Sequence, residues 1–414
     1  MNVAMNAQTN WKKNTALFLG SQTFSMFGSL LVQYAILWHI TLATESGVMM
    51  TISIICGFLP TFILSPFAGV WADRYDRKLL IALSDAGIAA ATLVLILLFA
   101  AGYDALWLLF AISAIRAAGA GVQTPAVGAL LPQLVPEDRL TAVNGIFGSL
   151  QSFMTLVAPI VSASLLAWAS IEIIFMIDVV TASAGIAILL GLVRVPGRAR
   201  DKSGKDETNG YLGELRAGLG YIRNHPFLKQ YLSFFALAFL LMAPAAYLTP
   251  LQVARTFGGE YWKLTAIEIV YSAGMMLGGA LIAAWGGFRN RTHTIALACA
   301  ALGLSTVGLG CIVFSFWAYL TVMGVAGIAS PLLYTPAQVL LQEKVDDVYL
   351  GRVFGVFNMI TSSMMPIGMF LFGPAADIVP IERLLVISGA LFSLLTLWPA
   401  GSRALREAGR PVQE

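Results

Sequence analysis

Charge is what this chain has least of. Only 11% of its 414 residues are Asp, Glu, Lys or Arg, while 58% are hydrophobic. So few charges cannot cover the surface of a water-soluble domain, which excludes that class. Cysteine is also scarce. Cys56, Cys299 and Cys311 are odd in number, share no metal-ligand spacing and fall in apolar stretches, where free cysteine acts as a small hydrophobe. The three histidines, His39, His225 and His293, are dispersed. Together these scarcities point to no metal site and no cofactor. No G-x-x-x-x-G-K-[ST] loop occurs, so ATP is not expected to act directly. No paired catalytic carboxylates or nucleophile elbow are visible, which argues against an enzyme.

What is abundant is apolar length. A spanning helix needs roughly 20 consecutive apolar residues, and only helices or closed barrels satisfy their backbone groups in lipid. The runs here are continuous and rich in Gly, Ala and Leu, without the period-2 alternation of barrel strands. They predict an all-α membrane protein with twelve transmembrane helices. Six fall at 16–40, 48–70, 79–101, 105–126, 142–168 and 172–193. Six more fall at 228–250, 264–285, 294–313, 316–340, 353–375 and 383–400. Lys and Arg set the orientation. Of the 25, 21 fall on one face, only Arg255, Lys263 and Arg383 on the other, and Arg116 lies inside a span. Both termini and the middle segment are therefore expected in the cytoplasm. The net charge of +3 is a topology signal, with no nucleic-acid partner implied.

The middle of the chain breaks the apolar pattern. Residues 197–210 have linker composition. Leu212, Leu215, Leu219 and Ile222 then recur at helical spacing, so this helix either lies on the membrane surface or packs on the inner end of the bundle. The expected organisation is a six-helix bundle over 1–193, a cytoplasmic linker over 194–227 and a second bundle over 228–414. The halves look duplicated. Trp71, Asp76 and Arg77 recur as Trp285, Asn290 and Arg291, and Asn144 as Asn358, all at an offset of 214. Thr124-Pro125-Ala126 recurs as Thr335-Pro336-Ala337 at an offset of 211. Such constancy argues for a repeated unit. Gly287 occupies the place of Asp73, so the copy is read as keeping the loop's shape and base but losing its acid.

A few polar residues stand within the spans. Arg116 is the strongest signal, because an arginine at bilayer depth costs about 2.5–3.5 kcal/mol on insertion scales and must find acceptors. It is either a structural tie to carbonyls or a functional charge. Asp85 lies under two turns from the inner end of its helix, so it is expected to reach the interface or bind the 2–3 loop. Asp178 lies toward the outer end of its helix, where water is close, and Glu268 toward the outer end of its own. Arg116, Asp178 and Glu268 are the candidates for ion coupling, since a buried carboxyl can exchange a proton for a cation. Gln22, Gln33, Gln123, Gln151, Tyr247, Tyr271, Tyr334 and Gln338 are either cavity-lining or interhelical hydrogen-bond partners, because lipid-facing amides are costly. Gly274 and Gly278 read as a close-packing seam. Trp38, Trp107, Trp168, Trp262 and Trp317 read as an interfacial belt.

Gly69–Lys78, GVWADRYDRK, sits between the second and third runs. It resembles the 2–3 loop of the major facilitator superfamily, with Asp73 and Arg77 at the two charged positions and Asp76 where that family usually has glycine. The resemblance implies a conformational latch on the cytoplasmic side made by Gly69, Asp73, Arg74, Arg77 and Lys78. It also implies a role for Arg116 in proton coupling or substrate binding. TLVAPIVSASL is similar to the family's antiporter motif. Pro159 is in place, and Ala158, Ser162 and Ala163 stand for glycines, while Met154 departs. Longer stretches, among them LVPEDRLTAVNGIFGSLQS and QEKVDDVYLGRVFGV, resemble the macrolide-efflux exporters over nearly the whole chain. That implies a monomer in the bacterial cytoplasmic membrane, its partners being the lipid bilayer, protons and a small amphipathic substrate expelled by proton antiport. The substrate would bind between two pseudo-symmetric bundles that alternate access. Export of another molecule such as a siderophore, proton-coupled uptake of a metabolite, and a non-transporting receptor remain open on the same fold.

Overall fold

The computed structural model describes residues 2–195 and 220–409. Leu212, Leu215 and Leu219 of the expected amphipathic helix, and the linker charges Arg198, Arg200, Lys202, Lys205 and Arg216, lie outside them. Among the described residues there is no strand. The helices are α1 (Asn2–Thr44), α2 (Gly47–Arg74), α3 (Arg77–Ala100), α4 (Leu106–Leu134), α5 (Leu140–Trp168) and α6 (Ile171–Leu192). In the second half come α7 (Pro226–Tyr247), α8 (Thr249–Phe257), α9 (Tyr261–Trp285), α10 (Arg291–Cys311), α11 (Phe316–Lys344), α12 (Asp347–Ala375) and α13 (Ile381–Leu394). Short α14 (Leu397–Gly401) and α15 (Arg403–Ala408) follow.

Among the described residues, eleven helical segments are long and apolar enough to cross a membrane. Two differences from the expected spans have the same cause. The seventh continues past 250 to Phe257 but is interrupted at Leu248. Pro250 has no N–H to bond the carbonyl of residue 246, so the ladder breaks there. The twelfth is divided into α13 and α14, and Pro399 likewise cannot bond residue 395.

The chain forms two compact units, one from Met1–Ile40 and Ile52–Ser203, the other from Thr41–Thr51 and Gly204–Glu414. In the first, α3 packs on α4 and α6. Phe18, Ile81, Leu130, Leu131 and Leu189 form an apolar core. In the second, α9 packs on α11, α10 on α13 and α7 on α12, around Tyr231, Phe235, Phe239, Leu333 and Phe357. The glycine seam holds α9 against α11. A Cβ on Gly278 would lie 2.2 Å from the Ile328 carbonyl oxygen, and one on Gly327 2.3 Å from that of Tyr271. Large apolar side chains such as Leu97, Leu304 and Phe370 point outward, as lipid contact requires. Trp107, Trp168, Trp262 and Trp317 are exposed, but Trp38 is not a belt residue. It is fully buried, because it continues the α1 face of Leu31 and Ala35, also buried, at spacings of four and three.

The repeat has a structural meaning. Asp76 caps α3, accepting from the Leu79 amide at 3.0 Å, and Asn290 caps α10, accepting from the Thr292 amide at 3.0 Å. Arg77 donates to the Ala129 carbonyl on α4 at 2.6 Å, and Arg291 donates to Glu343 on α11 through Nε at 2.8 Å. Pro125 and Pro336 lie inside α4 and α11, each followed by a fully buried alanine. The loop shape is not kept, however. The second helix of the first half runs to Arg74, whereas α9 stops at Trp285, three residues earlier on the 214 offset. Gly286 and Gly287 then take φ of +75° and +81°. A left-handed backbone there favours glycine, which accounts for the missing acid.

Candidate functional site

α3 carries a polar stripe on its buried face. Asp85 and Thr92 are seven residues apart, two turns, and so share one side of the helix. Both are buried, at 3% and 0% exposure. Around them α1, α4 and α6 contribute the rest. Arg116 of α4 donates to Thr92 Oγ1 at 2.8 Å and makes a short contact to Asp178 Oδ2. Its second terminal nitrogen donates to Asp178 Oδ1 at 3.3 Å and to the Ser29 carbonyl at 3.4 Å. Thr92 donates to the Ile88 carbonyl at 2.9 Å and to Asp178 Oδ2 at 3.3 Å. Asp85 Oδ1 accepts from Ser25 Oγ at 2.6 Å and from Gln123 Nε2 at 2.8 Å.

α1 reaches α6 closely enough to close this network because Gly28 has no side chain. A Cβ there would lie 2.2 Å from Thr181 Oγ1 and 2.9 Å from Asp178 Oδ1. The result is a guanidinium paired with a fully buried carboxylate inside an apolar bundle. A charge buried without a partner costs several kcal/mol, so the pair has to form within the fold. Asp178 is thus buried against Arg116 rather than close to water at a helix end. Asp85 is buried and bonds Ser25 and Gln123 rather than the 2–3 loop.

The other sequence-predicted residues are dispersed. In the second unit Tyr271 shares a 2.9 Å hydrogen bond with Ser330 on α11, and Glu268 lies one turn before it on α9. Tyr247 and Tyr334 are half-buried, and the Tyr334 ring lies 5.5 Å from that of Phe239. Gln22 is buried, with Nε2 3.5 Å from Ser21 Oγ, whereas Gln33, Gln151 and Gln338 are exposed. Ala158, Pro159, Ser162 and Ala163 are all buried, and Ser162 Oγ donates to the Leu31 carbonyl of α1 at 3.1 Å. In the 2–3 loop Arg77 donates to the Ala72 and Ala129 carbonyls, and Lys78 to those of Leu190 and Val193. The lysine thereby meets the carbonyl end of α6, where the helix dipole favours a cation. Arg74 is exposed, and a Cβ on Gly69 would meet nothing within 4 Å.

One polar cluster was not singled out from sequence. Asp377, just beyond α12, accepts from the Gly47 and Val48 amides at 2.7 and 3.0 Å and from Ser46 Oγ at 2.7 Å. Arg255 donates to it at 2.8 Å and to the Ala376 carbonyl at 2.7 Å, with further bonds to the Glu45 carbonyl. A carboxylate thus caps the amide end of α2 from far along the chain. Burial alone would raise the Asp377 carboxyl, but the two amides, Ser46 and Arg255 together outweigh it and hold it below its ordinary 3.8.

The family model of the Major Facilitator Superfamily matches residues 15–369. The chain belongs to the major facilitator superfamily. It is a multi-pass membrane transporter and not an enzyme. Within the superfamily it is 30% identical over 394 residues to Macrolide efflux protein A of Streptococcus pyogenes, covering 95% of this chain and 96% of that one. It is 32% identical to Macrolide efflux protein A of Enterococcus faecalis, over 78% of this chain and 99% of the relative. Among solved structures the nucleoside transporter NupG superposes with a TM-score of 0.70 over 94% of this chain and 99% of its own, at 14% identity. That likeness carries the fold alone.

Proposed function

We propose that this superfamily member exports amphipathic, macrolide-like drugs across the bacterial cytoplasmic membrane by proton antiport, as a monomer with both termini in the cytoplasm. The end-to-end 30% identity to a macrolide efflux protein carries the reading. The Lys and Arg asymmetry supports the orientation. The buried Arg116–Asp178 pair supports a working role for intramembrane charge, which is rare unless used. In this reading Glu268 is a second ion-coupling candidate, and Tyr247, Tyr271 and Tyr334 offer aromatic surface to an oily cargo. Gly69, Asp73, Arg74, Arg77 and Lys78 form the cytoplasmic latch.

A susceptibility panel in a pump-deficient bacterium tests this. The wild-type chain raises the inhibitory concentration of macrolides, and Arg116→Ala, expressed to the same level, does not. A wild-type chain that protects against no member of the panel overturns the reading. In inside-out vesicles an exporter accumulates drug as protons leave, whereas an uptake symporter does not.

A further inference from the structure

The network of the first unit holds three ionisable groups and only one cation. Arginine stays protonated at any physiological pH. Its guanidinium faces both oxygens of Asp178, which is fully buried and takes Thr92 as well. Asp178 is therefore neutralised in place. Asp85 is nearly as enclosed, at 3% exposure, but meets only neutral donors, Ser25 and Gln123, and both fall on the same oxygen, Oδ1. No hydrogen bond to Oδ2 is present among the described residues. The charged groups within electrostatic reach of Asp85 from the packed helices are Arg116 of α4 and Asp178 of α6, and α1 offers Ser25. Two turns of α3, about 10 Å of rise, separate Asp85 from Thr92 and the ion pair.

A buried carboxylate with no counter-ion is costly, whereas the carboxylic acid is neutral. With Oδ1 occupied as an acceptor twice, Oδ2 is the oxygen left to carry a proton. The arrangement suits a neutral Asp85 beside a fixed ion pair. Loss of the proton would put a second, unpaired carboxylate within electrostatic reach of the pair. The repeat sharpens the point. At the repeat offsets of 214 and 211 Asp85 falls on Cys299 and Arg116 on Gly327, so neither charge recurs at the matching position of the second half.

We propose that Asp85 is the group that takes up and releases the transported proton, and that Arg116–Asp178 is its fixed electrostatic neighbour rather than the proton carrier. This rests on the antiport reading above and places its proton.

The test uses the purified full-length chain. Infrared difference spectra across a pH titration, recorded on a Glu268→Gln background so that the second coupling candidate adds no band, should show the C=O stretch of a protonated carboxyl that titrates when Asp85 is present. That band should vanish in Asp85→Asn and persist in Asp178→Asn. A band that survives Asp85→Asn, or no such band when Asp85 is present, overturns the proposal without reference to any substrate. In liposomes with an imposed pH gradient and radiolabelled erythromycin as the probe, Asp85→Asn should lose uphill accumulation but keep gradient-free exchange. Asp85→Glu should restore accumulation with a shifted pH profile. Uphill accumulation by Asp85→Asn also overturns the proposal. A wild type that moves no erythromycin under the gradient instead counts against the macrolide antiport reading, and the infrared result still decides Asp85.

Discussion

Arg116 shows what one residue discloses and what it conceals. An arginine in the run AISAIRAAGAG announces itself in sequence, because its cost in lipid demands acceptors. Its acceptors were not legible. They depend on how α4 and α6 rotate about their axes, and on the missing side chain of Gly28. Trp38 was misread for the related reason that an end-of-span position does not reveal which helix face is buried. The pair makes a stability prediction. Removing one partner of a buried ion pair leaves the other uncompensated and costs about 3–5 kcal/mol, whereas replacing both with apolar residues costs far less. Asp178→Leu should lower the melting temperature of the detergent-solubilised chain more than the double variant Arg116→Met with Asp178→Leu. Equal losses would show that the two charges are not coupled.

At the level of the element, helix existence was readable and helix interruption was only partly so. Continuous apolar runs leave no alternative to helix in lipid. The breaks at Leu248 and after Leu394 follow from Pro250 and Pro399, yet Pro125, Pro159 and Pro336 sit inside unbroken helices. Proline alone therefore does not set an end. The two turns related by repeat were expected to match, and Gly286 and Gly287 made them differ. Restoring the acid with Gly287→Asp would force a left-handed backbone that costs about 1–2 kcal/mol for an L residue. Its Cβ would also sit 2.8 Å from Thr294 Oγ1. The expected outcome is a lower melting temperature, with Gly279→Ala, whose Cβ meets nothing within 4 Å, as the neutral control.

For the whole molecule, composition and the basic-residue count gave the class, and two resembling motifs gave the family. The Asp377 cluster was invisible because its partners are backbone amides more than three hundred residues away. It carries a pH signature. A carboxyl held below its ordinary 3.8 contributes its stabilisation in full above that value, and loses it as pH falls below. A spin label at Val48→Cys, with the three native cysteines replaced by serine, should gain mobility as pH drops below this range. Asp377→Asn should show the mobile spectrum already at neutral pH. A label that stays equally restrained in that variant would show that the carboxylate does not hold the turn.

Residues 41–51 lie early in the chain, but they are built into the compact unit formed by the later half. The polypeptide therefore passes from one unit to the other three times, not once. A gene fragment beginning at residue 204 would encode Arg255 and Asp377 but leave both facing a vacant socket. Such a fragment should be recovered poorly alone and well alongside a separately encoded 1–203, because part of its own architecture is written in the other piece.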